Sequence, residues 1–167
     1  VSNVTTMKYM FYEAEQFNAN INTKTISDSS SYPTGVTSSY TAWDVSNVTT
    51  MNSMFRHSNT PGLIFNQDIS NWDTSNVINM KSMFIWAEAF DQNIRGWNVS
   101  SVTSDSNLAS MFNKATAMNS NHSAPESDNA GGPTKAWFNS YFTTRGDLDT
   151  AVTAWINNDT TTYGDIN

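Results

Sequence analysis

The 167-residue chain carries 8 Lys and Arg against 15 Asp and Glu, a formal charge of −7, and 13% of its residues are aromatic. That balance opposes nucleic-acid binding and attachment to anionic lipid, both of which need clustered Lys and Arg. The lack of cysteine removes disulfides and thiolate metal sites, and no apolar run is long enough to insert into a bilayer.

From the N-terminus, "VSNVTTMKYMF" sets Val4, Met7, Met10 and Phe11 at i, i+3, i+6 and i+7, the spacing of one face of a short helical turn. The same skeleton returns as Val48, Met51, Met54 and Phe55, and again as Val77, Met80, Met83 and Phe84. A looser fourth copy keeps Val102 and Met111-Phe112 with three extra residues between them. Ser2, Ser46 and Ser75 stand where helix N-caps would. Behind each copy comes a short extended segment that repeats Phe17/Ile21, Phe65/Ile69 and Phe90/Ile94, with Met118 extending the Phe column. A further column holds Trp43, Trp72 and Trp97. Trp72 and Trp97 are 25 residues apart, and "SNTPG" (Ser58 to Gly62) lengthens the preceding interval to 29.

One such unit cannot bury its own apolar side, whereas stacked units cover one another. The expected fold is therefore α/β: an irregular leucine-rich-repeat-like solenoid of short helical turns and short strands. Its expected organisation is a repeat array over 1–118 with a loop inserted at 22–42, a polar loop over 119–135, and a helical element over 136–167. In that last element Leu148, Ala151, Val152, Trp155 and Ile156 trace one helical face before "YGDIN" opens a further repeat.

Polar residues also fall into columns, Asn18/Asn66/Asp91 and Asn20/Asp68/Asn93, as stacked Asn and Asp do when they satisfy backbone groups from one unit to the next. Mixing Asn with Asp leaves too few carboxylates for a calcium ladder, so no metal and no cofactor is expected. His57 and His122 have no metal-ligand spacing to other ligating residues. Glu13, Glu15 and Glu88 lie in links after the turns and read as a solvated edge, so no catalytic residue is assigned. Asn3, Asn47, Asn98, Asn121 and Asn158 begin Asn-x-Ser/Thr glycosylation sequons, with Asn121 in a loop. "RGD" (Arg145 to Asp147) precedes the C-terminal helix and reads as its cap. Trp86, in register with Tyr12 and Arg56, is a candidate exposed contact.

"WDVSNVTTMNSMF" and "FNQDISNWDTSNVINMKSMF", with "WNVSSVTSDSNLASMF", resemble the repeat of BspA-like leucine-rich-repeat surface proteins, the DUF285 or Listeria-type lipoprotein repeat. The resemblance implies a solenoid on a secreted or surface-anchored protein, with roles in adhesion and no catalytic residues to transfer. The chain begins within one repeat phrase and ends within another. It therefore reads either as an excerpt of a longer tandem protein or as a unit that packs head to tail into a filament. The expected function is a non-enzymatic extracellular structural protein that associates with itself. The alternative is a cell-surface adhesin that binds glycan or protein.

Overall fold

The computed structural model describes residues 3–27, 40–59, 61–126 and 131–138. Regular secondary structure is scarce among them. Strands β1 (Lys24–Ile26) and β2 (Tyr40–Ala42) form an antiparallel pair with Lys24 opposite Ala42. Helices α1 (Thr116–Asn121) and α2 (Lys135–Phe138) are short, and a 3-10 turn covers Asp105–Leu108. Most of the remaining chain is a succession of tight turns.

The helical turns expected over the Val-Met-Met-Phe phrases do not form. Met54 N donates to Met51 O at 3.2 Å, and Met83 N to Met80 O at 3.2 Å, which are β-turn bonds and not the i→i+4 bonds of an α-helix. A second turn follows at once, from Arg56 N to Ser53 O and from Ile85 N to Ser82 O. Ser53 and Ser82 stand at φ of 54° and 60°, in the left-handed region that interrupts a helix. The physical reason is competition: an isolated helical turn fixes several dihedrals for one bond, whereas these residues gain partners in the adjoining repeat.

Those partners build a ladder. Met7, Tyr9, Phe11 and Glu13 donate their N–H groups to the carbonyls of Thr50, Asn52, Met54 and Arg56 at 2.9–3.1 Å. Met51, Ser53, Phe55 and His57 donate in the same way to Asn79, Lys81, Met83 and Ile85, and Met80, Ser82, Phe84 and Trp86 to Asn107, Ala109, Met111 and Asn113. Each repeat is thus one rung, and alternate residues of a rung reach the next. Parallel bridges join Thr6 to Thr50 and Thr50 to Asn79.

The caps also differ from expectation. The Asx residue two places before the Ser does the capping: Asp44, Asp73 and Asn98 accept from the N–H of Ser46, Ser75 and Ser100 at 3.1, 3.0 and 2.9 Å. The Asn20/Asp68/Asn93 column is local in the same sense, since each accepts from the N–H two residues on. Only the neighbouring column runs between rungs. Asn18 Oδ1 accepts from Asn66 N and Gln67 Nε2, both at 3.0 Å, and Asn66 Oδ1 from Asp91 N and Gln92 Nε2 at 2.9 and 2.7 Å.

Side chains inside the rungs stack in files. Phe11, Phe55, Phe84 and Phe112 lie 5.3, 5.5 and 5.8 Å apart from one to the next, with planes within 13° of parallel. Phe17, Phe65 and Phe90 make a second file at 5.7 and 5.9 Å, wedged against the first at about 4 Å. Trp72 and Trp97 stack at 6.2 Å, and their indole N–H groups donate to Ile21 O and Ile69 O of the preceding rung. Trp43 keeps the contact to its rung's Phe, 6.1 Å from Phe11.

Departures from the repeat are absorbed at corners. Where a loop is expected at 22–42, its two ends pair as β1 and β2; residues 28–39 between them lie outside the described residues. "SNTPG" folds over the following rung so closely that a Cβ on Gly62 would sit 2.1 Å from Trp86 O. In the fourth repeat the 3-10 turn takes up the extra residues, and Leu108 fills the place of Met80. The polar loop expected from Asn119 begins inside α1, whose Met118 is buried. At the far end Trp137 lies 5.1 Å from Phe112, and Phe138 is fully buried. The helix expected over 148–156 and the Arg145-Asp147 cap lie outside the described residues.

Phe84, at the crossing of the files, touches Phe55, Phe90, Trp97 and Phe112. Phe84→Ala should cost about 3–5 kcal/mol in denaturant unfolding, while Phe11→Ala, only partly buried, should cost less. Asp44 predicts an acid response. The hydroxyl and N–H of Ser46 donate to its carboxylate and hold its pKa below the usual range. A pKa lowered by folding stabilises fully above the unfolded-state value, and that contribution is lost as pH falls through the folded one. Asp44→Ala should flatten that limb of the acid-unfolding curve.

Candidate functional site

The first rung differs from the others in what covers it. Val4, Phe11 and Trp43 are partly buried, whereas their counterparts Val48, Phe55 and Trp72, like Val77, Phe84 and Trp97, are buried almost completely, as are Met7, Met51 and Met80. Tyr9, Met10 and Tyr12 are 49, 44 and 40% exposed.

Backbone groups are open on the same side. In the inner rungs the carbonyls of Thr50, Asn52, Met54 and Arg56 each receive an N–H from the rung before. The matching carbonyls of Thr6, Lys8, Met10 and Tyr12 have no such donor among the described residues. Trp43 is in the same position: Trp72 and Trp97 give their indole protons to Ile carbonyls one rung back, and Trp43 Nε1 meets no equivalent acceptor there.

On the flank, Tyr9, Tyr12 and Arg56 line a cavity of about 390 Å³. The two tyrosine rings meet edge to face at 5.5 Å and 77°, and Lys8 Nζ lies 4.9 Å from the centre of the Tyr9 ring. Interaction with the Glu13 carboxylate pushes the Tyr12 pKa up. Arg56 makes no ion pair among the described residues, and its Nε is shielded from solvent without a hydrogen-bond partner.

Beside this cavity, His57 joins the first rung to the second. It is 1% exposed; its Nε2 lies 3.0 Å from Glu13 and 3.4 Å from Glu15, and its Nδ1 lies 2.7 Å from Asn59 O. Both ring nitrogens therefore face oxygen acceptors. Glu88, in the place of Glu15 two rungs on, accepts from Gly62 N at 3.1 Å. Glu88 thus holds Gly62 of the inserted segment, Glu13 and Glu15 hold His57, and Glu15 remains exposed. His122 Nε2 similarly meets Asp91 at 3.1 Å.

No group of three or more ligating side chains among the described residues is arranged to hold a metal ion, and no helix there is long and apolar enough to cross a membrane. Of the sequons, Asn3, Asn47, Asn98 and Asn121 are exposed, with the Asn121 amide donating to Asp91 at 2.9 Å; Asn158 lies outside the described residues. Trp86 is a correction. Its N–H bonds to Asn113 and its carbonyl to Leu63, so it shares the column of Glu13 and His57, not that of Tyr12 and Arg56, and it is half-buried. Extending the repeat alignment two residues past each Phe would have placed Glu13 against His57.

Removing that imidazole leaves two carboxylates without their partner. His57→Phe should cost about 1–3 kcal/mol, and a double-mutant cycle with Glu13→Gln should show coupling in urea unfolding. Strict additivity would mean that the 3.0 Å contact contributes nothing.

The chain matches the family described as Mycoplasma protein of unknown function, DUF285, over residues 1–32 and 27–155, and it belongs to that family. No curated protein and no solved structure matches it.

Proposed function

We propose that this DUF285-family chain is a non-enzymatic structural repeat of the cell surface or extracellular space. In this reading it is a leucine-rich-repeat-like solenoid whose first rung seats another rung of its own kind. The observation that carries the proposal is the open side of that rung. Thr6, Lys8, Met10 and Tyr12 carbonyls, the Trp43 indole N–H and the half-covered rings of Phe11 and Phe17 repeat, group for group, what the inner rungs use to hold a neighbour.

The partner is thus defined by chemistry: N–H donors at alternate residues, an Ile carbonyl opposite Trp43, and a Phe pair to continue the two files. Such a contact is heterologous, so repetition of it extends a filament. The last described rung is covered by Trp137 and Phe138. A head-to-tail filament therefore requires its donor side to come from residues beyond 138, outside the described residues. A second reading, a surface module that binds glycan or protein, draws on the exposed Tyr9, Met10 and Tyr12.

Sedimentation velocity over a concentration series tests the assembly. Larger species should appear as concentration rises, and Met10→Asp should abolish them by placing a charge where the next rung would bury a methionine. Met10 is exposed, so the substitution leaves the core intact. A single species at every concentration of the unmodified chain would overturn the reading.

A further inference from the structure

We propose that the cavity between Tyr9, Tyr12 and Arg56 is a binding site for an acidic saccharide, a sugar ring that bears a carboxylate. The walls supply two complementary features. The tyrosines, 49 and 40% exposed, meet at 77° and form a corner in the cavity wall. Such a corner accepts the flat C–H face of a pyranose, while the phenol groups remain able to hydrogen-bond its hydroxyls. Arg56 closes the cavity from the second rung. Its planar fork of donors matches a carboxylate in a way a single ammonium does not.

Charge makes this location distinctive. The chain as a whole is at −7, yet Arg56 is not neutralised by an ion pair among the described residues, and Lys8 Nζ lies 4.9 Å from the centre of the Tyr9 ring. Glu13, the acid next to Tyr12 in the chain, is engaged by His57 at 3.0 Å. Arg56 Nε, shielded from solvent, has no hydrogen-bond partner. At about 390 Å³ the cavity falls within the size range of small-molecule sites. Two cations on one flank fall far short of the basic surface that nucleic acid requires, so the match is to one carboxylate on one ring.

The site also marks where the first rung leaves the repeat pattern. The place of Tyr9 is taken by Ser53, Ser82 and Ser110 in the later rungs, and that of Tyr12 by Arg56, Ile85 and Asn113. Neither tyrosine is required by the stack, and both face solvent. The site lies on the side of the first rung that a further rung would cover, as Ser53 and Ser82 are covered in the place of Tyr9, so a saccharide and an added rung would compete for it.

Isothermal titration of the full chain with glucuronic acid, with N-acetylneuraminic acid and with neutral glucose tests the site. The acidic sugars should bind saturably and glucose at least tenfold more weakly, roughly the factor expected for a charge-assisted pair. Arg56→Gln should remove that preference, and Tyr12→Ala should weaken both kinds of sugar, with circular dichroism confirming that each variant is folded. The proposal is overturned if the unmodified chain binds no acidic sugar, if glucose binds as well, or if acetate or a peptide with a free C-terminal carboxylate competes as strongly as the sugars. It is also overturned if a folded Arg56→Gln keeps the preference.

Discussion

One constraint organises this molecule: the N–H groups of alternate residues in each rung find their carbonyls in the rung that follows. A buried peptide group without a partner is costly, and a coil of tight turns cannot satisfy its own backbone as a helix does. Once neighbouring rungs supply the partners, the position of every side chain is set, because residues in register across the ladder must lie above one another. The Phe files, the paired indoles and the Asn18–Asn66–Asp91 ladder are consequences of that register.

The ladder also explains why unfavourable backbone is tolerated. Tyr9, Ser53, Ser82 and Ser110 occupy corresponding places and all have positive φ, as do Glu13, Trp86 and Lys114 at the following turn. A left-handed conformation costs a non-glycine residue about 1–2 kcal/mol. That cost recurs in each rung and is offset by the phenylalanines that the two turns bring into contact. Glycine serves elsewhere, where space and not dihedral angle is limiting. At Gly62 the backbones of the inserted segment and of Trp86 approach too closely for any side chain.

Much of this was legible in the sequence, and the omissions have a common cause. Repetition of Val, Met, Phe and Trp marked columns whose members are buried in the second and third rungs, while Val4, Phe11 and Trp43 of the first are partly buried and Met10 is exposed. Repetition could not distinguish a helical turn from two consecutive β-turns, because Val48, Met51, Met54 and Phe55 point to one side in either conformation. What separates the two is bonding between residues such as Phe55 and Met83, which lies outside any local window. The His57–Glu13 contact is hidden in the same way, because it joins two repeats through polar residues that do not recur between them. The hairpin at 24–42 was hidden by Ser and Thr, which read as loop until Lys24–Ile26 pairs with Tyr40–Ala42.

The bonds of the ladder mostly point the same way, with N–H toward the later rung; Thr49 to Thr5, Ile64 to Glu15, Ile78 to Thr49 and Ala117 to Glu88 run against that direction. Aligned peptide groups add their dipoles, as they do along an α-helix. The array therefore has an electrical sense: oxygen lone pairs accumulate at the leading surface, and each added unit lengthens the aligned column. The leading surface is the oxygen-rich one, and an N–H donor is the group that complements it.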